Sequence, residues 1–213
     1  MHVLLTDRLA CPRCGPEFGL ILLADRMADR RVYEGTLGCP NCRDRFPVRD
    51  AFADLRAPPR QALGTGLAGP DPAGDPDADA TEADRVGALL GVARGPATVA
   101  LVGAPARFAA RVAAAVEDLE AVAIDPDVVT WADATGVSRL VAWPMLPFFT
   151  RVLRGVVVDG RLGPEWVGEA ARVVAPLSRV VVVRSADWVA ETLRERGLTV
   201  LASEGETVVA ARG

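Results

Sequence analysis

The chain has 213 residues, half of them hydrophobic, with a formal net charge of -4 and a pI near 5.1. That length holds one large or two modest domains, and that charge gives no electrostatic basis for broad nucleic-acid binding. Every basic residue is an arginine, so no lysine exists for catalysis. The single histidine, His2, adjoins a terminus expected to fray, which leaves little basis for a His triad or a His-rich metal site. No apolar run approaches the roughly 20 residues needed to cross a bilayer, and the N-terminus lacks a secretory pattern. The cytoplasm is the expected compartment, where paired cysteines point to metal before disulfides.

All four cysteines lie in two knuckles, Cys11-Pro12-Arg13-Cys14 and Cys39-Pro40-Asn41-Cys42. Two residues between cysteines let both thiolates turn toward one point, and two such turns make a closed four-sulfur site suited to structural Zn²⁺. A catalytic zinc is not expected, because four sulfurs leave no open position. Between the knuckles, Phe18–Ala24 and Arg31–Leu37 read as strands joined by a polar turn. A unit this small needs the metal, which supplies on the order of 10 kcal/mol of folding energy.

The flanking residues carry a resemblance. Leu9-Ala10-Cys11-Pro12-Arg13-Cys14, Gly38-Cys39-Pro40-Asn41-Cys42 and Arg45-Phe46-Pro47-Val48-Arg49-Asp50 are similar to the small zinc-ribbon activator family of methyltransferases. The match covers Leu4 to about Leu55 and departs at Ala51 and Ala53, where the family prefers Gly and Pro. The resemblance implies a protein-binding module that docks on a methyltransferase, often by extending its sheet. The alternative is a ribbon that only caps its neighbour.

After this ribbon (1–57), residues 58–81 are rich in Pro, Gly, Ala and Asp and read as an acidic, extended, solvated tether. As a coil it spans roughly 28 Å, enough for the ribbon to dock on its own neighbour. Residues 82–213 then alternate strand and helix: an entry helix over Glu82–Val92, strand Thr98–Val102, a turn at Gly103–Pro105 and helix Ala106–Val116. Strand Leu119–Ile124 ends at Asp125-Pro126 and leads into a helix from about Asp127 to Ala134. Strands Arg139–Trp143, Val156–Asp159 and Arg179–Arg184 follow, with helices over Pro164–Ala175 and Ala186–Arg196. A hairpin of Leu198–Ala202 and Thr207–Ala211 closes the chain. The expected fold is α/β: a mostly parallel, seven-stranded sheet with one antiparallel edge strand, plus the small ribbon.

This layout resembles the Rossmann-like S-adenosylmethionine-dependent methyltransferases. Leu146-Pro147-Phe148 before Gly155-Val156-Val157-Val158-Asp159, and Glu169-Ala170-Ala171-Arg172-Val173-Val174-Ala175-Pro176, are similar to phrases of the quinone-biosynthesis members. The resemblance implies a cofactor loop at Gly103 and a ribose-binding acid at Asp125. Against the family's Asp-x-Gly-x-Gly-x-Gly, the chain has Leu101-Val102-Gly103-Ala104-Pro105-Ala106-Arg107. Proline there adds a ring and removes an N–H donor. Asp125 before Pro126 also reads as an ordinary helix N-cap. Ala142 stands where the family holds the adenine amine with an acid, and Trp143 after it reads most simply as a packing residue, like Trp131, Trp166 and Trp188, or else as a plug in that pocket. Asp159 reads either as a substrate-side residue or as part of an Asp159-Gly160 turn.

The expectation is weak or absent affinity for S-adenosylmethionine, and a non-catalytic scaffold or accessory subunit whose ribbon engages another protein. The alternative is an active methyltransferase with its activator ribbon fused in cis.

Overall fold

A computed structural model describes residues 1–60, 62–63, 67, 76–142 and 145–213. In chain order the elements are β1 (Ala10–Cys11), β2 (Gly15–Gly19), β3 (Ile21–Ala28), β4 (Arg31–Gly38), β5 (Arg45–Arg49) and β6 (Phe52–Asp54). They continue as α1 (Pro76–Leu90), β7 (Ala97–Val102), α2 (Ala109–Ala114), β8 (Leu119–Ile124), β9 (Val137–Val141) and β10 (Leu153–Asp159). The last are α3 (Pro164–Val173), β11 (Val174–Val183), α4 (Val189–Glu195), β12 (Leu198–Glu204) and β13 (Thr207–Arg212).

The sheet corrects the expected seven strands to eleven, in the order β12-β13-β11-β10-β7-β8-β9-β6-β5-β4-β3. Seven of these, β7 to β13, come from the C-terminal part. Their order is the doubly wound one, with β7 at the centre and an antiparallel pair at one end. All six residues of β7 are buried, as a strand covered on both faces requires. The other four strands belong to the ribbon. β6 lies parallel to β9, with Phe52 opposite Arg139, Ala53 opposite Leu140 and Asp54 opposite Val141, and so joins the ribbon to the larger sheet.

Packing makes the junction continuous. One core cluster under α3 and α4 runs without a break into the ribbon, taking in Leu9, Leu37, Phe46 and Val48 together with Leu140, Phe148, Val156 and Trp166. A second cluster, under α1 and α2, covers the other face of β7 and reaches Phe52 of the ribbon. A further seam forms where the Ala10 N–H donates to the Pro147 carbonyl (3.0 Å) and the Phe149 N–H to the Arg8 carbonyl (3.0 Å). The Leu146-Pro147-Phe148 phrase is therefore a landing strip for the ribbon. Arg172 fixes it from behind, donating to the carbonyls of Phe148 and Leu146 while paired with Glu169.

Several local expectations change. The terminus does not fray: Met1 is buried, and its ammonium donates to the carbonyls of Val32 and Ala51. Helix α1 begins at Pro76 rather than Glu82, because Asp77 and Asp79 favour a helix N-terminus and the intervening alanines are strong helix formers. The helix expected after Asp125 reduces to one 3-10 turn, Pro126–Thr130. There the Arg139 guanidinium claims the carbonyls of Val128 and Trp131, and β-branched Val128, Val129 and Thr130 favour helix weakly. Helix Ala106–Val116 likewise starts as a 3-10 turn over Ala104–Phe108, with α geometry only from Ala109.

Candidate functional site

The two knuckles converge. The ligand atoms of Cys11, Cys14, Cys39 and Cys42 all lie within 4.8 Å of one another. Cys11 Sγ is 3.7 Å from Cys42 Sγ, and Cys14 Sγ is 3.8 Å from Cys39 Sγ. A tetrahedron with Zn–S bonds of about 2.3 Å has edges of about 3.8 Å, so these spacings suit one ion. Outer contacts orient the sulfurs: the Cys14 N–H reaches Cys11 Sγ at 3.4 Å, and the Asn41 amide reaches Cys14 Sγ at 3.3 Å. Burial pushes the Cys42 thiol up to about 12. At Cys39 burial acts the same way but is outweighed by N–H groups of Cys42 and Asn41, which bring the thiol down to about 7. Arg13 pairs with Asp44 at 3.0 Å and ties the knuckles together from outside.

The second candidate is the carboxyl edge of the sheet, where β7, β8 and β10 deliver Gly103, Asp125 and Asp159. The structure brings these three together, but as packing partners. Gly103 has φ 75°, and a Cβ there would lie 3.1 Å from Asp159 Cβ and 3.2 Å from Leu162 Cδ1. The glycine serves close approach of its own neighbours. Asp159 is fully buried, caps the turn Gly160–Leu162, and is held by Arg161 (2.6 Å) and Arg184 (3.1 Å).

Asp125 is the most telling position. One oxygen accepts the Asp127 N–H at 2.9 Å, the N-cap of the following turn. The other accepts the N–H of Leu67, from the tether, at 3.1 Å. Burial holds this carboxyl above its usual range, against the lowering effect of those two N–H groups. Pro105 and Ala106 are buried in the 3-10 turn after Gly103, and Arg107 pairs with Asp79 of α1 at 2.9 Å. A cavity of about 250 Å³ remains at this edge, beyond Pro105 and among Arg85, Arg107, Arg184 and Thr207. Neither Gly103 nor Asp125 lines it. Trp143, read as a packing residue or an adenine plug, lies outside the described residues.

Sequence reasoning missed four contributors: Leu67, Arg139, and Arg161 and Arg184 on Asp159. Only the first left a signal, since Leu63 and Leu67 are the only large apolar residues in the sequence from 58 to 81, which is rich in Pro, Gly, Ala and Asp.

No protein-family model and no curated protein matches the chain. Solved structures do. The [4+2]-cyclase SpnF aligns with TM-score 0.49 and 17% identity over 68% of this chain and 66% of its own. Geranyl diphosphate methyltransferase, solved with SAM, aligns with TM-score 0.48 and 12% identity over 72% and 99%. A complex between the Haloferax volcanii Trm112 methyltransferase activator and a putative methyltransferase aligns with TM-score 0.42 and 14% identity over 64% and 94%. These likenesses are partial, and the chemistry of the site is decided by its own residues. No described helix is long and apolar enough to cross a membrane.

Proposed function

We propose that the chain is a non-catalytic protein of methyltransferase-like fold, acting as a scaffold or accessory subunit, with a structural zinc ion held by Cys11, Cys14, Cys39 and Cys42. On this reading 1–57 and 82–213 are two modules joined by 58–81. The observation that carries it is Asp125. Asp125 is buried and each of its oxygens already accepts a backbone N–H group, one of them from Leu67, so a ribose hydroxyl would compete with the chain's own amides for the lone pairs that remain. The loss of the loop glycines and the double arginine pairing of Asp159 point the same way.

The ribbon spends one edge on its own neighbour, through β6 and β9. Its outer strand, β3, pairs among the described residues only with β4 and exposes Ile21 and Leu23 (56% and 64%). We place the partner protein there, since apolar side chains on an open strand edge are a ready template for pairing.

One observation favours the second reading, an active S-adenosylmethionine-dependent methyltransferase: the four-cysteine unit pairs with the sheet of its own chain, through β6 and β9. Calorimetry with S-adenosylmethionine and S-adenosylhomocysteine on zinc-loaded protein decides between them. We expect no heat of binding at ligand concentrations of a few hundred micromolar, and a micromolar dissociation constant would sink the scaffold reading.

A further inference from the structure

A cavity of about 590 Å³ lies at the amino edge of the sheet, at the other end of the strands from Gly103 and Asp125. Volumes of this order hold small organic ligands. Both modules build it. The ribbon supplies Leu4 and the β3–β4 turn, Asp29 and Arg30, with Arg31 after it. The α/β half supplies Pro96 before β7, Val116 after α2, Asp118 before β8, and Leu119 and Glu120 at its start.

Part of the charge in this cavity is spent on joining the modules. Arg31 reaches across to Asp133 (3.0 Å) and Glu120 (3.9 Å) and donates to the Val137 carbonyl. Asp29, Arg30 and Asp118 are different. All three are exposed, and none has an ion pair or a side-chain hydrogen bond among the described residues. All three also sit in the left-handed region, at φ 47°, 61° and 54°. Aspartate tolerates that region, but Arg30 is the second residue of a two-residue hairpin turn, where glycine belongs. The turn would be more stable with glycine, so what the arginine brings is its guanidinium at the cavity. Two carboxylates and one guanidinium leave this rim with one net negative charge, and Arg31 shared between Glu120 and Asp133 leaves another. Much of the remaining wall is aliphatic, from Leu4, Pro96, Val116 and Leu119.

We infer that this cavity binds a basic α-amino acid, of the arginine or lysine type. Such a ligand carries the rim's groups in reverse. Its two cationic groups match Asp29 and Asp118, its carboxylate matches Arg30, and its methylene stem lies on the aliphatic wall. A polyanion would meet uncompensated carboxylates, a polyamine would set like charge against Arg30, and a neutral amino acid would leave one acid unmatched. Because ribbon and α/β half both contribute groups, the bound ligand also fastens one to the other. The site shares no residue with the carboxyl edge, so it stands or falls apart from the scaffold reading.

Calorimetry on the full zinc-loaded chain tests this with L-arginine and L-lysine against three analogues. Agmatine lacks the carboxylate, norvaline lacks the side-chain cation, and Nα-acetyl-arginine lacks the α-ammonium charge. We expect L-arginine or L-lysine to bind with a dissociation constant of about 100 µM, and each analogue about tenfold more weakly or worse, as the loss of one charged contact requires. Arg30→Gly is the sharper arm, because glycine suits the turn. This variant should melt no lower than the natural chain, bind L-arginine about tenfold more weakly, and no longer prefer it to agmatine. Asp118→Asn keeps a residue at ease at positive φ and should weaken L-arginine and agmatine alike. No heat from L-arginine or L-lysine at millimolar concentration, agmatine or norvaline matching them, or full affinity in Arg30→Gly would each overturn the site.

Discussion

The ribbon and the carboxyl edge of the sheet present opposite kinds of site. At the ribbon, four sulfurs converge at spacings that suit an ion. At the edge, the groups placed for a ligand face protein partners: a side chain at Gly103 would run into Asp159 and Leu162, Asp159 holds two arginines, and Asp125 holds Asp127 and Leu67. The contrast teaches that residue identity and position are separate requirements. Asp125 stands at the expected strand end and is still committed elsewhere.

The largest effect should come from the metal. Removing zinc with a strong chelator, or replacing Cys39 with serine, withdraws folding energy on the order of 10 kcal/mol from the ribbon. Because one core runs from the ribbon into the α/β half, the loss should reach the whole molecule, lowering its melting temperature by circular dichroism instead of releasing an intact remainder. Natural protein should carry one zinc per chain by atomic absorption. Less than about half an equivalent, or a melt indifferent to chelation, would erase the difference between the two sites.

Next is the clasp between the halves. Arg139 is buried in β9 with no carboxylate partner among the described residues, donating to the carbonyls of Asp50, Val128 and Trp131. Its replacement by alanine opens a cavity and leaves three carbonyls short, which should destabilise by about 3 kcal/mol in denaturant unfolding. A change below 1 kcal/mol would mean that strand pairing alone joins ribbon and sheet.

A smaller effect is expected from Pro105→Gly. It puts a glycine in place of the buried ring, and should lower stability by about 1 kcal/mol through the freedom it gives the unfolded chain. It should bring no affinity for S-adenosylhomocysteine by calorimetry, because Gly103 and Asp125 stay covered. Binding gained from this one change would show that proline alone had closed the crevice.

Much of this was legible from local pattern. The knuckles, the buried β7 and the closing hairpin each carry their signal within a few residues, and the strand order follows from alternating strand and helix. What escaped depends on contacts distant in sequence. The sheet grew to eleven strands because Phe52-Ala53-Asp54, three residues with little strand character of their own, pair with β9. The helix after Asp125 was lost to an arginine in the next strand, and the filled crevice depends on Leu67, 58 residues before the acid it caps.

Asp125 provides the smallest test and the most local one. Burial raises its carboxyl above the ordinary value of 3.8, and the nearby charges of Asp127 and Asp159 add to the shift. An acid raised on folding supports the folded state fully below its unfolded value, and that support is lost as pH rises through the folded one. The natural chain should therefore lose a little stability as pH climbs out of the ordinary carboxylate range. Asp125→Asn should flatten that slope in urea midpoints measured at successive pH values. The amide oxygen can still accept the Asp127 N–H, so the cap survives, while its NH₂ cannot accept from Leu67. A slope unchanged by Asp125→Asn would mean that the carboxylate is better solvated than its burial implies, and so more available to a ligand than the filled crevice allows.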